Sequence, residues 1–126
     1  MIRHSRQLAA IAGLLLAVGT AARADTDTDE GRELYQTECS ICHGASDGHK
    51  LIAPSLDGVF GRTAGSAGAY LYSDAVKQSG VTWDEETLDA YLTRPQLAIP
   101  GIRSTYQGMP LAEDRAVLLE YLKTLK

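Results

Sequence analysis

Two thiols and an imidazole fall within five residues of this chain, at Cys39, Cys42 and His43, and the sequence holds no other cysteine. Two cysteines three positions apart, followed directly by histidine, form the attachment sequence of c-type haem. At the end of a helix the two thiols reach the two vinyl groups of one porphyrin, and the next residue projects its imidazole at the iron. Thioether links then keep the cofactor permanently, which suits a protein working outside the cell. Other chemistries use the same atoms. The pair could form a disulfide or a thioredoxin-like redox couple, although no βαβ pattern surrounds it. Cys39, Cys42, His43 and His49 could also supply a tetrahedral zinc set, with His43 awkwardly adjacent to Cys42.

These side chains need elements to hold them, and the patterning predicts helices. Leu34, Tyr35 and Ile41 recur at helical spacing and predict a first helix from about Asp29 to Ile41, after an acidic stretch, Asp25 to Glu30, expected to fray. Ala45 to Gly68 is rich in Gly, Ser, Asp and Pro, so it predicts a long loop wrapped around something. Ser73 predicts the cap of a short helix, Asp74 to Gln78, ended by Gly80. Thr82 with Glu85 predicts a capping box for a helix from Trp83 to Thr93, stopped by Pro95. Pro95 to Gly108 reads as irregular. A last helix, Leu111 to Leu125, sets Val117, Leu118, Tyr121, Leu122 and Leu125 on one face. No alternating strand pattern or internal repeat is present, so the predicted class is all-α with long loops: three main helices plus a short one.

The 126 residues carry a formal charge of −4, and that average hides a lopsided chain. Residues 1 to 24 contain Arg3, Arg6 and Arg23 but no acidic residue. Their basic start, their apolar middle from Leu8 to Val18 and the small-x-small run Ala22-Arg23-Ala24 predict a secretory signal peptide. The alternative, a membrane anchor, is disfavoured because the apolar run falls short of the roughly 20 residues a spanning helix needs. The expected organisation is therefore a signal segment, 1–24, and a mature domain, 25–126, in a bacterial periplasm. That domain holds nine basic and sixteen acidic residues, a formal charge of −7. A nucleic-acid binder would carry the opposite sign. With one Trp and one Phe, its core is thin for its size. A covalent porphyrin would complete that core, and the haem-free domain is expected to be largely unfolded.

Beyond the attachment motif, the sequence resembles class I cytochromes c of the mitochondrial and purple-bacterial electron-carrier type over nearly all of residues 29 to 126. The residues that carry the resemblance are Gly31 and Tyr35 before Cys39-x-x-Cys42-His43-Gly44, then Ala53 to Arg62. Tyr72-Ser73-Asp74-Ala75, Val81-Thr82-Trp83, Tyr91-Leu92 with Pro95, Ile99-Pro100-Gly101, and Leu118 with Tyr121-Leu122-Lys123 extend it. The resemblance implies the class I fold and one haem c attached through Cys39 and Cys42, with His43 binding iron through Nε2 and donating its other ring proton to the Pro54 carbonyl. It also implies that Arg62, Tyr72 and Trp83 bond or screen the propionates, that Tyr91 lines the distal side, and that Gly31, Tyr35, Leu118 and Tyr121 meet where the first and last helices cross. For Trp83 and Tyr91, ordinary core packing is the competing reading.

The pattern breaks at the sixth iron ligand. The family's methionine follows the Pro-Gly pair by three residues, where this chain has Ser104. Two distal positions, usually Asn and Thr, are Val76 and Ile102. The one methionine of the mature chain, Met109, is the candidate ligand, with a core methionine as the bland alternative. An open iron, or His49, is the other possibility. The resemblance implies a monomeric one-electron carrier with redox partners of basic or neutral docking face, because only Lys50, Lys77, Lys123 and Lys126 remain of a lysine-rich docking surface. The alternative is a haem protein whose weakly ligated distal site binds NO or CO. No distal acid–base group is placed for enzyme catalysis beyond weak peroxidase turnover. Neither nucleic acid nor stable membrane insertion is expected.

Overall fold

Two helices from opposite ends of the chain, α1 (Gly19–Leu34) and α6 (Ala112–Leu122), pack on each other in the computed structural model, which describes residues 19–44, 52–68 and 70–126. Their approach depends on Gly31. A Cβ at that position would collide with the Val117 carbonyl and lie 2.8 Å from Tyr121 Cβ. Beside this gap Tyr35 tilts against Tyr121 with ring centroids 5.3 Å apart. The chain between them forms α3 (Asp74–Gln78), α4 (Glu85–Thr93), which packs on α6, and the short α5 (Pro95–Ala98), which packs on α4. Among the described residues there is no strand, only a single antiparallel bridge between Thr63 and Thr82. The all-α class is thus as expected.

Several local expectations need correction. The first helix begins at Gly19, and Asp25 to Glu30 is helical instead of frayed. Thr28 Oγ1 donates to the Ala24 carbonyl at 2.9 Å and Arg32 pairs with Asp29 at 2.8 Å, so the polar run is stapled at i, i+3 and i, i+4 spacing. Nor does that helix continue regularly to Ile41. It passes into a π-helical turn, Tyr35–Cys39, closed by the Ser40 N–H on the Tyr35 carbonyl, before α2 (Ser40–His43). The capping box of α4 is formed by Asp84 and Thr87, not Thr82 and Glu85: the Thr87 N–H donates to Asp84 Oδ1 and the Asp84 N–H donates to Thr87 Oγ1, both at 2.8 Å. Ser73 occupies the N-cap position of α3 but makes no capping bond through its side chain. Pro95, at the first turn of α5, starts a helix as well as ending one, because its missing N–H costs nothing there.

The core has two parts. Val59, Leu88, Leu92, Leu118, Leu119 and Leu122 form the larger cluster under α1, α4 and α6, together with Cys39 and Met109. Ala64, Val76 and Ile99 form the smaller one, with Tyr72, Trp83 and Tyr91 packed against it. The loop of residues 52–68 is fastened to both. Gly58 N–H donates to the Leu125 carbonyl, while the Gly61 and Ala64 N–H groups donate to the carbonyls of Trp83 and Val81 at 2.7 and 2.8 Å. The first 18 residues and 45–51, with His49 and Lys50, lie outside the described residues.

Gly31→Ala is expected to lower the stability of the haem-loaded protein by about 1–3 kcal/mol, because α6 backbone must move to admit the methyl group; thermal unfolding would measure it. Asp84→Ala should also lower the melting temperature. The Thr87 backbone N–H, aided by the Thr87 hydroxyl, holds the Asp84 carboxyl below its ordinary value of 3.8. Its contribution is therefore complete above that value and fades as pH falls through the depressed one. The gap between native and variant melting temperatures should close in strong acid and remain constant from pH 5 to 8.

Candidate haem-binding site

Cys39, Cys42 and His43 sit where α1 gives way to the π turn and α2. An i→i+5 closure inserts one extra residue into the helical path and rotates everything after it. As a result Cys39 faces the larger core cluster and is buried, while Cys42 is exposed. Burial, with the carboxylate of Glu38 behind it, pushes the Cys39 thiol up to about 11. It is thus an uncharged thiol, unsuited to act as a free redox nucleophile. The two cysteines form no disulfide, and among the described residues no cluster of His, Cys, Asp and Glu is arranged for a metal ion.

His43 is fastened from the other side. Its Nδ1 lies 2.6 Å from the Pro54 carbonyl, which fixes the tautomer with the proton on Nδ1 and leaves Nε2 as a free lone pair. Burial depresses the imidazole pKa, outweighing the Pro54 bond that raises it, and Arg62 lowers it further. Burial and Arg62 thus favour the neutral ring that a metal requires. Pro54 is positioned in turn by the Ala53 N–H on the Cys42 carbonyl at 3.1 Å, so the anchor and its acceptor are bound into one local unit. Arg62 reaches into the same loop, donating to the Asp57 and Ser55 carbonyls at 2.9 and 2.7 Å.

Tyr72, Trp83 and Tyr91 are brought together around the smaller core cluster. Trp83 stands edge-on to Tyr91 with centroids 5.3 Å apart, and Tyr70 stands edge-on to Tyr72 at 5.0 Å. Arg62 joins this group through its backbone, its carbonyl accepting the Trp83 N–H at 2.9 Å. Val76 and Ile102 belong to the same cluster.

The segment from Pro100 to Pro110 is braced by α4, α5 and α6. The Met109 N–H donates to the Leu92 carbonyl at 2.6 Å. Gly108, at φ +98°, brings its backbone so near α4 that a Cβ would meet the Thr93 carbonyl oxygen at 2.5 Å. The buried Arg115 donates to the Met109 and Pro110 carbonyls at 2.9 and 3.0 Å and pairs with Asp89 at 2.7 Å. Met109 itself is 6% exposed, within the larger core cluster. Ser104 and Tyr106 precede it. The Tyr106 hydroxyl is buried without a hydrogen-bond partner, and sequence patterning gave no hint of it, because an isolated Tyr in a loop carries no periodic signal.

The residues present fit a covalently attached porphyrin. Two thiols and a tautomer-fixed imidazole lie on one turn and a half of helix, bonded to a polar loop that bears Arg62, and that loop is bonded in turn to Trp83 of the aromatic group. Comparison with known proteins agrees. The cytochrome c family model matches residues 28–126. Cytochrome c2 of Rhodoblastus acidophilus is 43% identical over 101 residues, 79% of this chain and 94% of that protein. Cytochrome c of Gibberella zeae is 42% identical over 101 residues, 79% of this chain and 95% of its own length. Cytochrome c2 iso-2 of Magnetospirillum molischianum is 43% identical over 90 residues, covering 71% and 93%.

Arg115→Leu is expected to cost roughly 3 kcal/mol, since the Met109 and Pro110 carbonyls lose their donors. Asp89→Asn should cost well under half as much, because its carboxylate is partly solvated and Arg115 keeps both carbonyls. Denaturant titration of the two haem-loaded variants would measure the difference.

Proposed function

The chain belongs to the cytochrome c family, and on that premise we propose that it is a periplasmic one-electron carrier working between a donor complex or dehydrogenase and a terminal acceptor. Members of this family hold one haem c covalently and transfer electrons. When bound, that group supplies a reversible one-electron couple at its iron. The protein's own part is attachment, orientation and the setting of the environment.

Cys39 and Cys42 would hold the haem through two thioether links, and His43 would supply an imidazole nitrogen to its iron. One observation carries this assignment: the 2.6 Å contact between His43 Nδ1 and the Pro54 carbonyl, which directs the opposite nitrogen away from the protein backbone. Such a partner fixes ring orientation and makes the ligand more basic. Arg62, Tyr72 and Trp83 would bond or screen the propionates, since buried negative groups need donors, and Tyr91 would line the opposite face of the haem.

Export is supported by the Arg3 and Arg6 start, the apolar run from Leu8 to Val18 and Ala22-Arg23-Ala24. Cleavage after Ala24 would leave Asp25 and Asp27 in the first turn of α1, where the helix dipole favours them. No helix among the described residues is long and apolar enough to cross a membrane.

The surface beside the attachment point supports a basic or neutral partner. Ile41, next to Cys42, and Ile52, next to the Ala53 whose N–H donates to the Cys42 carbonyl, are 77% and 70% exposed, and Glu38 is exposed on the turn before them.

Expression with a c-type maturation system should yield a periplasmic protein beginning at Asp25, with haem resistant to acidic acetone extraction. Haem that extracts freely would overturn the attachment assignment. Electron transfer to an acceptor whose docking face is acidic should be slow and should not weaken as salt is added. A fast rate that falls steeply with ionic strength would refute the partner assignment.

A further inference from the structure

The second braced loop lacks what the first one has. Around His43 the imidazole Nδ1 and the Arg62 guanidinium have carbonyl acceptors, whereas the segment Ser104 to Met109 presents hydroxyl groups and a buried thioether. Met109 is held at both ends of its peptide unit, by Leu92 and by Arg115, and its side chain is covered by protein. With its backbone fixed there, bringing its sulfur out to a metal would empty its place in the core cluster and leave a cavity. Gly108 resists the same movement, lying flush against Thr93.

Three hydroxyls belong to this neighbourhood. Ser104 Oγ accepts the Tyr106 N–H at 3.2 Å, and the Ser104 side chain lies close enough to the Tyr91 hydroxyl to oppose the rise that burial causes in its pKa. Gln96 Nε2 donates to the Ser104 and Tyr106 carbonyls at 3.3 and 3.4 Å, so the backbone of this bend is fixed. The Tyr106 phenol is buried without a partner, within electrostatic reach of Cys39 and Tyr91. A buried O–H left unpaired is costly, and it marks a position where an acceptor atom belongs. Ser104 is a weak ligand, with a hydroxyl that deprotonates reluctantly. The loop thus supplies donors for a ligand and no ligand of its own.

We propose that Tyr91, Ser104 and Tyr106 form a hydroxyl-lined distal site that takes a small, exchangeable ligand bearing a hydrogen-bond-accepting atom, in place of a thioether from the chain. The site discriminates by hydrogen bonding. Tyr106 donates to the outer atom of the ligand, Tyr91 and Ser104 limit its size and orientation, and Val76 and Ile102 exclude bulk water from the smaller cluster behind them. Linear or diatomic anions such as azide and cyanide have the required size and acceptor atoms. This inference rests on the haem attachment assigned above, and the experiment separates the two.

Sodium azide would be titrated into the oxidised, haem-loaded protein and into its Tyr106→Phe and Met109→Leu variants, following the Soret band. Covalent haem content and reversible one-electron reduction of each sample would be measured first; failure there sinks the carrier assignment, not this one. The wild type should bind azide in a simple saturable manner and lack the red charge-transfer band of sulfur ligation. Met109→Leu should match the wild type in spectrum and azide affinity. Tyr106→Phe should bind azide about tenfold more weakly, the equivalent of one buried hydrogen bond. A sulfur band that disappears in Met109→Leu, a wild type that does not bind azide, or equal affinities for Tyr106→Phe and wild type would each overturn the proposal.

Discussion

A single missing methyl group sets the geometry of this molecule. At Gly31 the backbones of α1 and α6 approach until only hydrogen separates α1 from the Val117 carbonyl, and no other residue permits that distance. The crossing fixes both the position of α1 along its axis and its rotation. Everything attached to the C-terminal end of α1 inherits that pose: the π turn, α2, and through them Cys39, Cys42 and His43. Tyr35 and Tyr121 pack beside the gap and hold it. Cofactor attachment thus depends on a contact between the two ends of the domain, far apart in sequence.

From that crossing the π turn sets how the attachment motif is aimed. Cys39, Cys42 and His43 follow one another through the regular turn of α2. The extra residue in the π turn before them rotates all three together relative to α1. Cys39 then rests on the apolar cluster and Cys42 lies at the surface. The loop of residues 52–68 closes around the imidazole, with Pro54 as acceptor and Arg62 tying the loop to itself. Burial dominates the electrostatics here. It raises the Cys39 thiol and lowers the His43 imidazole, so both favour their uncharged forms in the same desolvated region.

The opposite loop is equally rigid but chemically different. Arg115 is a buried cation whose guanidinium is divided between one carboxylate and two carbonyls, a use for which its forked donors suit it. It locks the descent from Tyr106 into α6 and holds Met109 as a filler of the core. The acidic character of the domain, with exposed isoleucines around Cys42, departs from a docking surface built on lysines.

Much of this could be read along the chain. The spacing Cys39-x-x-Cys42-His43 identifies the cofactor chemistry without a fold, because local geometry alone brings those atoms together. The periodicity of Val117, Leu118, Tyr121 and Leu122 locates α6, and the bounds of α3 follow from its neighbours. Where two local solutions compete, the sequence is ambiguous: Thr82 with Glu85 and Asp84 with Thr87 both make plausible caps, and the pairing of Thr82 with Thr63 across the loop removes the first from the helix end. The helical Asp25–Glu30 segment was illegible because a polar run held by its own Thr28 and Arg32 contacts carries no apolar period, and no residue type in the sequence marks the π turn. Met109 is the clearest case. Its residue type makes it a candidate ligand, and only the tertiary structure sets its side chain in the core cluster, because burial is a property of neighbours that no spacing within the chain records.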